Sequence, residues 1–303
     1  GYRLLSNYSG IPYVDVRLSL LSFIPEEFNN EICRILLKYY TKKLREHPDL
    51  HDKVEFKVLP TCGSVAFEPW RQELRLNTSL SSEILDEYEH ALQKISKNCV
   101  ANIDQHQDTL DKFTKALDRY RERSDDLQTY DKILYLVQIC KKHGTLPFAH
   151  LARSAFVAMT WLRDGVKAGL ITREAMDEFL SSINTVSSNF TKDLGLLRAG
   201  SLSLDSFLEL YGHLRPGTYD ITSNTYKESS SVYIQSLINS VDESNHDLET
   251  DIKYDNWDTQ KTKLFDALSF IDQPNTKIET FMRAAIEGRE LGKFIFTEAV
   301  SEI

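Results

Sequence analysis

The residues of this chain best suited to chemistry lie between Gly212 and Asp220, in the run Gly-His-Leu-Arg-Pro-Gly-Thr-Tyr-Asp. A short helical pattern, Leu204 to Tyr211, precedes it; Gly212 can end that helix in the left-handed conformation, and Pro216-Gly217 imposes a second tight turn. Two turns therefore hold His213, Arg215, Thr218 and Asp220 close together. An imidazole, a guanidinium, a hydroxyl and a carboxylate on such restricted backbone suit the capture of a polar or anionic ligand. They equally suit a structural corner fastened by an Arg-Asp pair.

Two further stretches carry charge where it needs a reason. Tyr13 to Leu18 alternates as a strand, with Tyr13, Asp15 and Arg17 on one side and Val14, Val16 and Leu18 on the other. Asp15 would serve an ammonium and Arg17 a carboxylate or phosphate, or the two form an edge-strand ion pair of little energetic weight. Phe148 to Leu162 predicts a helix buried nearly all round, and Arg153 is the only formally charged residue between Lys142 and Arg163. A buried guanidinium costs several kcal/mol unless paired, so Arg153 requires a carboxylate of the fold or an anion of a ligand.

The elements that would position these groups are mostly helical. Pro25 suits the start of a helix with a stripe from Phe28 to Tyr39, whereas Val54 to Leu59 and Ser64 to Phe67 read as two short strands. From Arg71 to His143 there is no glycine or proline, and apolar residues fall at helical spacing from Ile84 to Cys99 and from Leu110 to Tyr120. A helix over Tyr130 to Lys142 is expected to stop at Gly144, and Gly169 to end the one that carries Arg153. Thr172 begins another that runs to Phe190, with Ser181, Asn184, Ser188 and Thr191 as a neutral polar stripe suited to a buried contact. Residues 226–258 read as a surface excursion, after which helices resume at Trp257 to Ile271 and Lys277 to Phe296. The prediction is a mainly α, multi-helix domain over 1–303, with a long helical arm at 71–143 and a small β element near the N-terminus.

Composition removes several functions. The net charge of -9 is spread without a Lys/Arg cluster, which argues against a nucleic-acid partner. No apolar run reaches the ~20 residues of a membrane span and no secretion signal is evident, so a soluble cytoplasmic protein is expected. Cys33, Cys62, Cys99 and Cys140 lie too far apart for a zinc motif, and His47 and His51 flank Pro48, so no metal is expected. Phosphate-loop, dinucleotide and nucleophile-elbow motifs are absent.

Four segments together resemble a known family: Ile-Pro-Tyr-Val-Asp-Val-Arg-Leu-Ser at 11–19, Gly-Thr-Leu-Pro-Phe-Ala-His-Leu-Ala-Arg at 144–153, Asn-Thr-Val at 184–186 and Gly-His-Leu-Arg-Pro-Gly-Thr-Tyr-Asp-Ile at 212–221. They are similar to the middle region of phosphoenolpyruvate synthase-like phosphotransferases, in particular the glutamine kinase-like branch of capsule biosynthesis clusters. The resemblance implies a three-part enzyme. An ATP-grasp domain would bind ATP and Mg, a swivelling domain would carry a transiently phosphorylated histidine, and this chain would supply acceptor binding or the platform between them. Neither of those domains is in this sequence, and no cofactor is implied within it. The start at Gly1 and the helical pattern still running at Ile303 suggest a piece of a longer polypeptide. A small polar acceptor, with L-glutamine as a candidate, would meet Asp15, Arg17, Arg153, His213, Arg215, Thr218 and Asp220 in one pocket. The alternative is a non-catalytic helical scaffold or homodimerisation module, for which the helices from Ile84 to Tyr120 are the main argument.

Overall fold

The computed structural model describes residues 3–216, 222–240 and 255–303, side chains of 239 and 240 excepted. The fold is mainly α with one two-stranded antiparallel sheet at the N-terminus. Strands β1 (Leu5–Tyr8) and β2 (Ile11–Val14) meet through Ser9-Gly10, both at positive φ, with Leu5 opposite Val14 and Tyr8 opposite Ile11. Positive φ at both turn positions matches the twist of a tight hairpin. No helix among the described residues is long and apolar enough to cross a membrane.

The strand expected to run to Leu18 ends at Val14. Asp15 instead caps α1 (Val16–Leu21), its carboxylate accepting from the backbone N–H groups of Arg17 and Leu18. A capped helix start satisfies donors that a strand edge would leave open. The shared face of Tyr13, Asp15 and Arg17 is thereby lost. The strands expected at 54–59 and 64–67 do not form either. Val54–Val58 is a single wide helical turn, and Val58 and Leu59 pack into a helical core. Valine and phenylalanine raise strand propensity there, but propensity yields to packing where no partner strand is available.

The chain forms two compact units interleaved along the sequence. The first comprises Gly1–Ala101, Phe156–Thr172 and Gln260–Ile278; the second comprises Asn102–Ala155, Arg173–Thr259 and Glu279–Ile303. In the first, α2 (Asn30–Glu46), α3 (Glu68–Asn77) and the early turns of α4 (Ser82–Arg121) enclose Leu36, Tyr40, Leu74, Tyr88 and Leu92. Helix α2 starts at Asn30 and not near Pro25, because the Asn29 carboxamide accepts from the N–H groups of Glu31 and Ile32. The Tyr40 and Tyr88 hydroxyls meet at 3.2 Å and so satisfy each other inside this core.

The two expected stripes of the 71–143 region lie on one helix, α4, 40 residues long. In the second unit, α5 (Thr129–Ile139) does not stop at Gly144. A wide turn over Cys140–Thr145 joins it to α6 (Leu146–Lys167). Glycine is needed at 144 for proximity: a Cβ there would lie 2.6 Å from Phe296 Cδ2. Gly169 does end α6, at φ +69 with its N–H on the Val166 carbonyl.

Helix α7 (Arg173–Ser181) also ends earlier than expected. A break at 182–185 precedes α8 (Val186–Arg198), which Thr185 and Ser188 cap reciprocally. The expected polar stripe therefore splits, since Ser188 is spent on the cap and Ser181 and Asn184 are exposed. Helices α9 (Leu204–Tyr211), α10 (Ser230–Ser240), α11 (Asp255–Ala267) and α12 (Asn275–Ser301) complete the fold. Of the excursion expected at 226–258, Tyr226 and Ile234 are buried in an aromatic core with Phe207 and Tyr211, and 241–254 lie outside the described residues.

The start of α11 depends on one acid. Glu178 accepts from the backbone N–H groups of Asn256 and Trp257, each at 3.0 Å, and from the Asn256 carboxamide. Replacing Glu178 with Ala leaves those donors unmet, and a loss of about 1 kcal/mol is expected from the usual worth of a helix cap. Chemical denaturation of E178A beside the unmodified chain measures it; an unchanged midpoint would discard the assignment.

Candidate functional site

The loop after α9 is held by backbone before any side chain acts. Leu214 N–H donates to the Tyr211 carbonyl, Tyr226 N–H to Leu214, and Lys227 N–H to Gly212, so the chain on either side of 217–221 is fastened to itself. Gly212 takes ordinary helical φ of −61, not the left-handed value expected. Its lack of a side chain matters for space, since a Cβ would strike the Leu208 carbonyl and lie 3.1 Å from Lys227 Cβ.

On that base stands Arg215. Its Nε donates to the Ser223 carbonyl at 2.9 Å and its Nη1 to the Ser301 hydroxyl at 2.8 Å, while Ser301 in turn donates to the His213 carbonyl at 3.1 Å. Both acceptors are neutral. The nearby Arg121 is treated quite differently, with Asp118, Glu298 and Glu302 all in ion-pair range. Arg215 is half-buried, and no carboxylate pairs with it among the described residues. Glu228 is near enough for Arg215 to help hold its carboxyl below the usual range, but it is committed mainly to the N–H and hydroxyl of Thr225.

A guanidinium fixed by neutral oxygens keeps most of its charge for something else, because a hydroxyl and a carbonyl compensate a cation far less than a carboxylate does. The imidazole of His213 lies edge-on to Phe294, 4.7 Å between ring centres, and its Nε2 is buried with no partner among the described residues. Burial lowers its pKa; Arg121 and Arg215 act in the same direction and Glu298 opposes them.

That shift fixes a pH dependence. A lowered folded-state pKa means that the unfolded chain binds the proton more readily, so stability from this group is complete above the ordinary histidine value of about 6.5 and is lost as pH falls below it. Burial also lowers the values of His106 and His143. Melting temperature is therefore expected to fall between about pH 7 and pH 5, and His213→Gln to flatten part of that fall. An identical slope in the variant would show that His213 titrates freely.

The other sequence-selected residues fare unevenly. Asp15 and Arg17 belong to the first unit and are spent locally: the guanidinium lies 3.3 Å from the carboxylate, at an exposed helix start. Hydrogen bonding by Arg17 is the main cause of the lowered Asp15 pKa. Arg153 is on α6 but only half-buried, so the burial cost that made a partner obligatory is smaller than its sequence context suggests. His213 and Arg215 are brought together through Ser301. Thr218 and Asp220 lie outside the described residues.

A second polar centre, in the first unit, was not expected. Near the end of α6, Asp164 is buried and accepts from the Ser64 hydroxyl at 2.7 Å and from Lys167 Nζ at 2.9 Å. Arg163 lies 4.2 Å over the ring of Phe56. These groups border a cavity of about 40 Å³ together with Thr61, Cys62 and Thr160. Burial pushes the Cys62 thiol up to about 12, so it is not a nucleophile at neutral pH. The available signal was the spacing of Thr160, Arg163, Asp164 and Lys167, which sets all four along one side of a helix.

No protein-family model, curated protein or solved structure matches this chain.

Proposed function

We propose that this chain is the acceptor-binding part of an ATP-dependent phosphotransferase of the phosphoenolpyruvate synthase-like type. It would work with an ATP-grasp domain and a phosphohistidine domain, and its acceptor would be a small polar molecule such as L-glutamine. The observation that carries the reading is the state of Arg215: half-buried, rigidly held, and paired with no described carboxylate. Such a group suits the carboxylate of an acceptor or the oxygens of a phosphoryl group in transit. The neutral His213 beside it adds a hydrogen-bonding nitrogen without adding charge. The assignment to this enzyme class rests on the sequence resemblance, and the ATP and Mg chemistry would belong to the partner domains.

Titration calorimetry of the chain with L-glutamine, L-glutamate and inorganic phosphate tests the binding role. Saturable heat that depends on Arg215 supports it. No heat with any of the three, together with concentration-dependent self-association in sedimentation, would replace it with the scaffold reading. Assay of a polypeptide containing all three domains for AMP formation from ATP, omitting acceptors one at a time, then tests the reaction class.

A further inference from the structure

We propose that the cavity at the end of α6 in the first unit is a binding site for a small zwitterion of the α-amino acid class, no larger than glycine. The inference is independent of the phosphotransferase reading, which rests on Arg215 in the second unit.

The walls are rigid for reasons unrelated to a ligand. The Gly63 carbonyl accepts from the indole N–H of Trp161 at 2.8 Å and from the Ser96 hydroxyl at 3.0 Å, and Gly63 N–H donates to the Leu92 carbonyl. A Cβ on Gly63 would stand 2.6 Å from the Gln93 Cα, so the segment lies flat against α4. This pins Ser64, and Ser64 in turn fixes one oxygen of Asp164.

The chemistry is balanced. Two acids, Glu55 and Asp164, and two bases, Arg163 and Lys167, border the cavity, so its formal charge is zero. A neutral lining with separated signs favours a ligand that is itself neutral with separated signs, since a net ion would gain from one pair and be repelled by the other. Two groups keep capacity beyond what the fold uses. Arg163 makes a ring contact with Phe56 but no ion pair among the described residues. Each Asp164 oxygen has one protein donor and can accept another. A ligand carboxylate thus has Arg163, and an ammonium has Asp164. At about 40 Å³ the cavity holds only a few heavy atoms, given the ~10–15 Å³ that one water needs.

The indole N–H resonance of Trp70, which borders the cavity, is the local reporter, and that of Trp257 in the other unit is the control. In titrations of the full chain, glycine is expected to shift the Trp70 signal saturably and leave Trp257 in place. Acetate and methylammonium, each offering one of the two charges, are expected to need about tenfold higher concentrations. Arg163→Gln, at an exposed position that preserves folding, is expected to raise the glycine midpoint about tenfold or more at unchanged melting temperature. No Trp70 shift with glycine up to roughly 50 mM would overturn the inference, as would acetate or methylammonium titrating as well as glycine, or an R163Q midpoint equal to that of the unmodified chain.

Discussion

Replacing Arg215 with glutamine is expected to weaken binding of the acceptor carboxylate by about tenfold to a hundredfold, the usual worth of charge-assisted hydrogen bonds. The fold should survive, because the interactions lost are those with the Ser223 carbonyl and the Ser301 hydroxyl, both neutral and only partly buried. Lysine separates the two roles this residue could have. Its single ammonium keeps the charge but cannot reproduce donation from Nε and Nη1 in the plane of one fork. A purely structural corner would let R215K and R215Q differ in melting temperature while ligand heats stayed equal. A binding site predicts that both variants lose the heat while remaining folded. Calorimetry and a thermal melt on the same samples decide between the two; undiminished glutamine heat in R215Q would end the case for this loop.

The largest stability effect is expected at Trp161, which is fully buried and donates to the Gly63 carbonyl. Trp161→Ala should cost about 3–5 kcal/mol, as removal of large buried side chains does. Trp161→Phe should cost much less. It removes the indole donor but leaves the Gly63 carbonyl with the Ser96 hydroxyl as partner, so the lost hydrogen bond is worth about 0.5–1.5 kcal/mol, plus the smaller volume of the ring. If W161F proved as damaging as W161A, the carbonyl contact and not the packing would be what orders this segment. Urea denaturation of both variants gives the comparison directly.

Helical spacing made most of the fold legible. The stripe from Ile84 to Tyr120 lies on α4, the Phe148 to Leu162 pattern lies within α6, and Gly169 ends that helix in the conformation only glycine adopts cheaply. The misreadings share a cause. At Asp15, Asn29 and Thr185 a short polar side chain turned an apparent strand or continuous helix into a helix start. Capping depends on where the chain chooses to break, and several polar residues compete for each break. Gly144 and Gly212 were read as stops because glycine often is one, whereas here each is required by a neighbour's proximity, visible only after folding.

The candidate site was legible in half. His213 and Arg215 stood out by density of function on a constrained loop, and they do share a serine; that serine, Ser301, is 86 residues further along than Arg215 and left no signal. Asp15 and Arg17 looked like a site wall because alternation put them on one side, but a caps-and-pair arrangement two residues apart accounts for both. Asp164 was invisible because its partner Ser64 is 100 residues away in sequence.

The interleaving of the two units bears on how the polypeptide comes into being. The first unit takes its last segment from Gln260–Ile278 and the second takes its own from Glu279–Ile303, so neither has all its parts until synthesis has passed residue 259. Domains that are contiguous in sequence can fold as they emerge, one after another. Here the early helices of the first unit must wait for Gln260–Ile278, and shortening the chain from the C-terminus takes from the second unit first and from both once it passes Glu279.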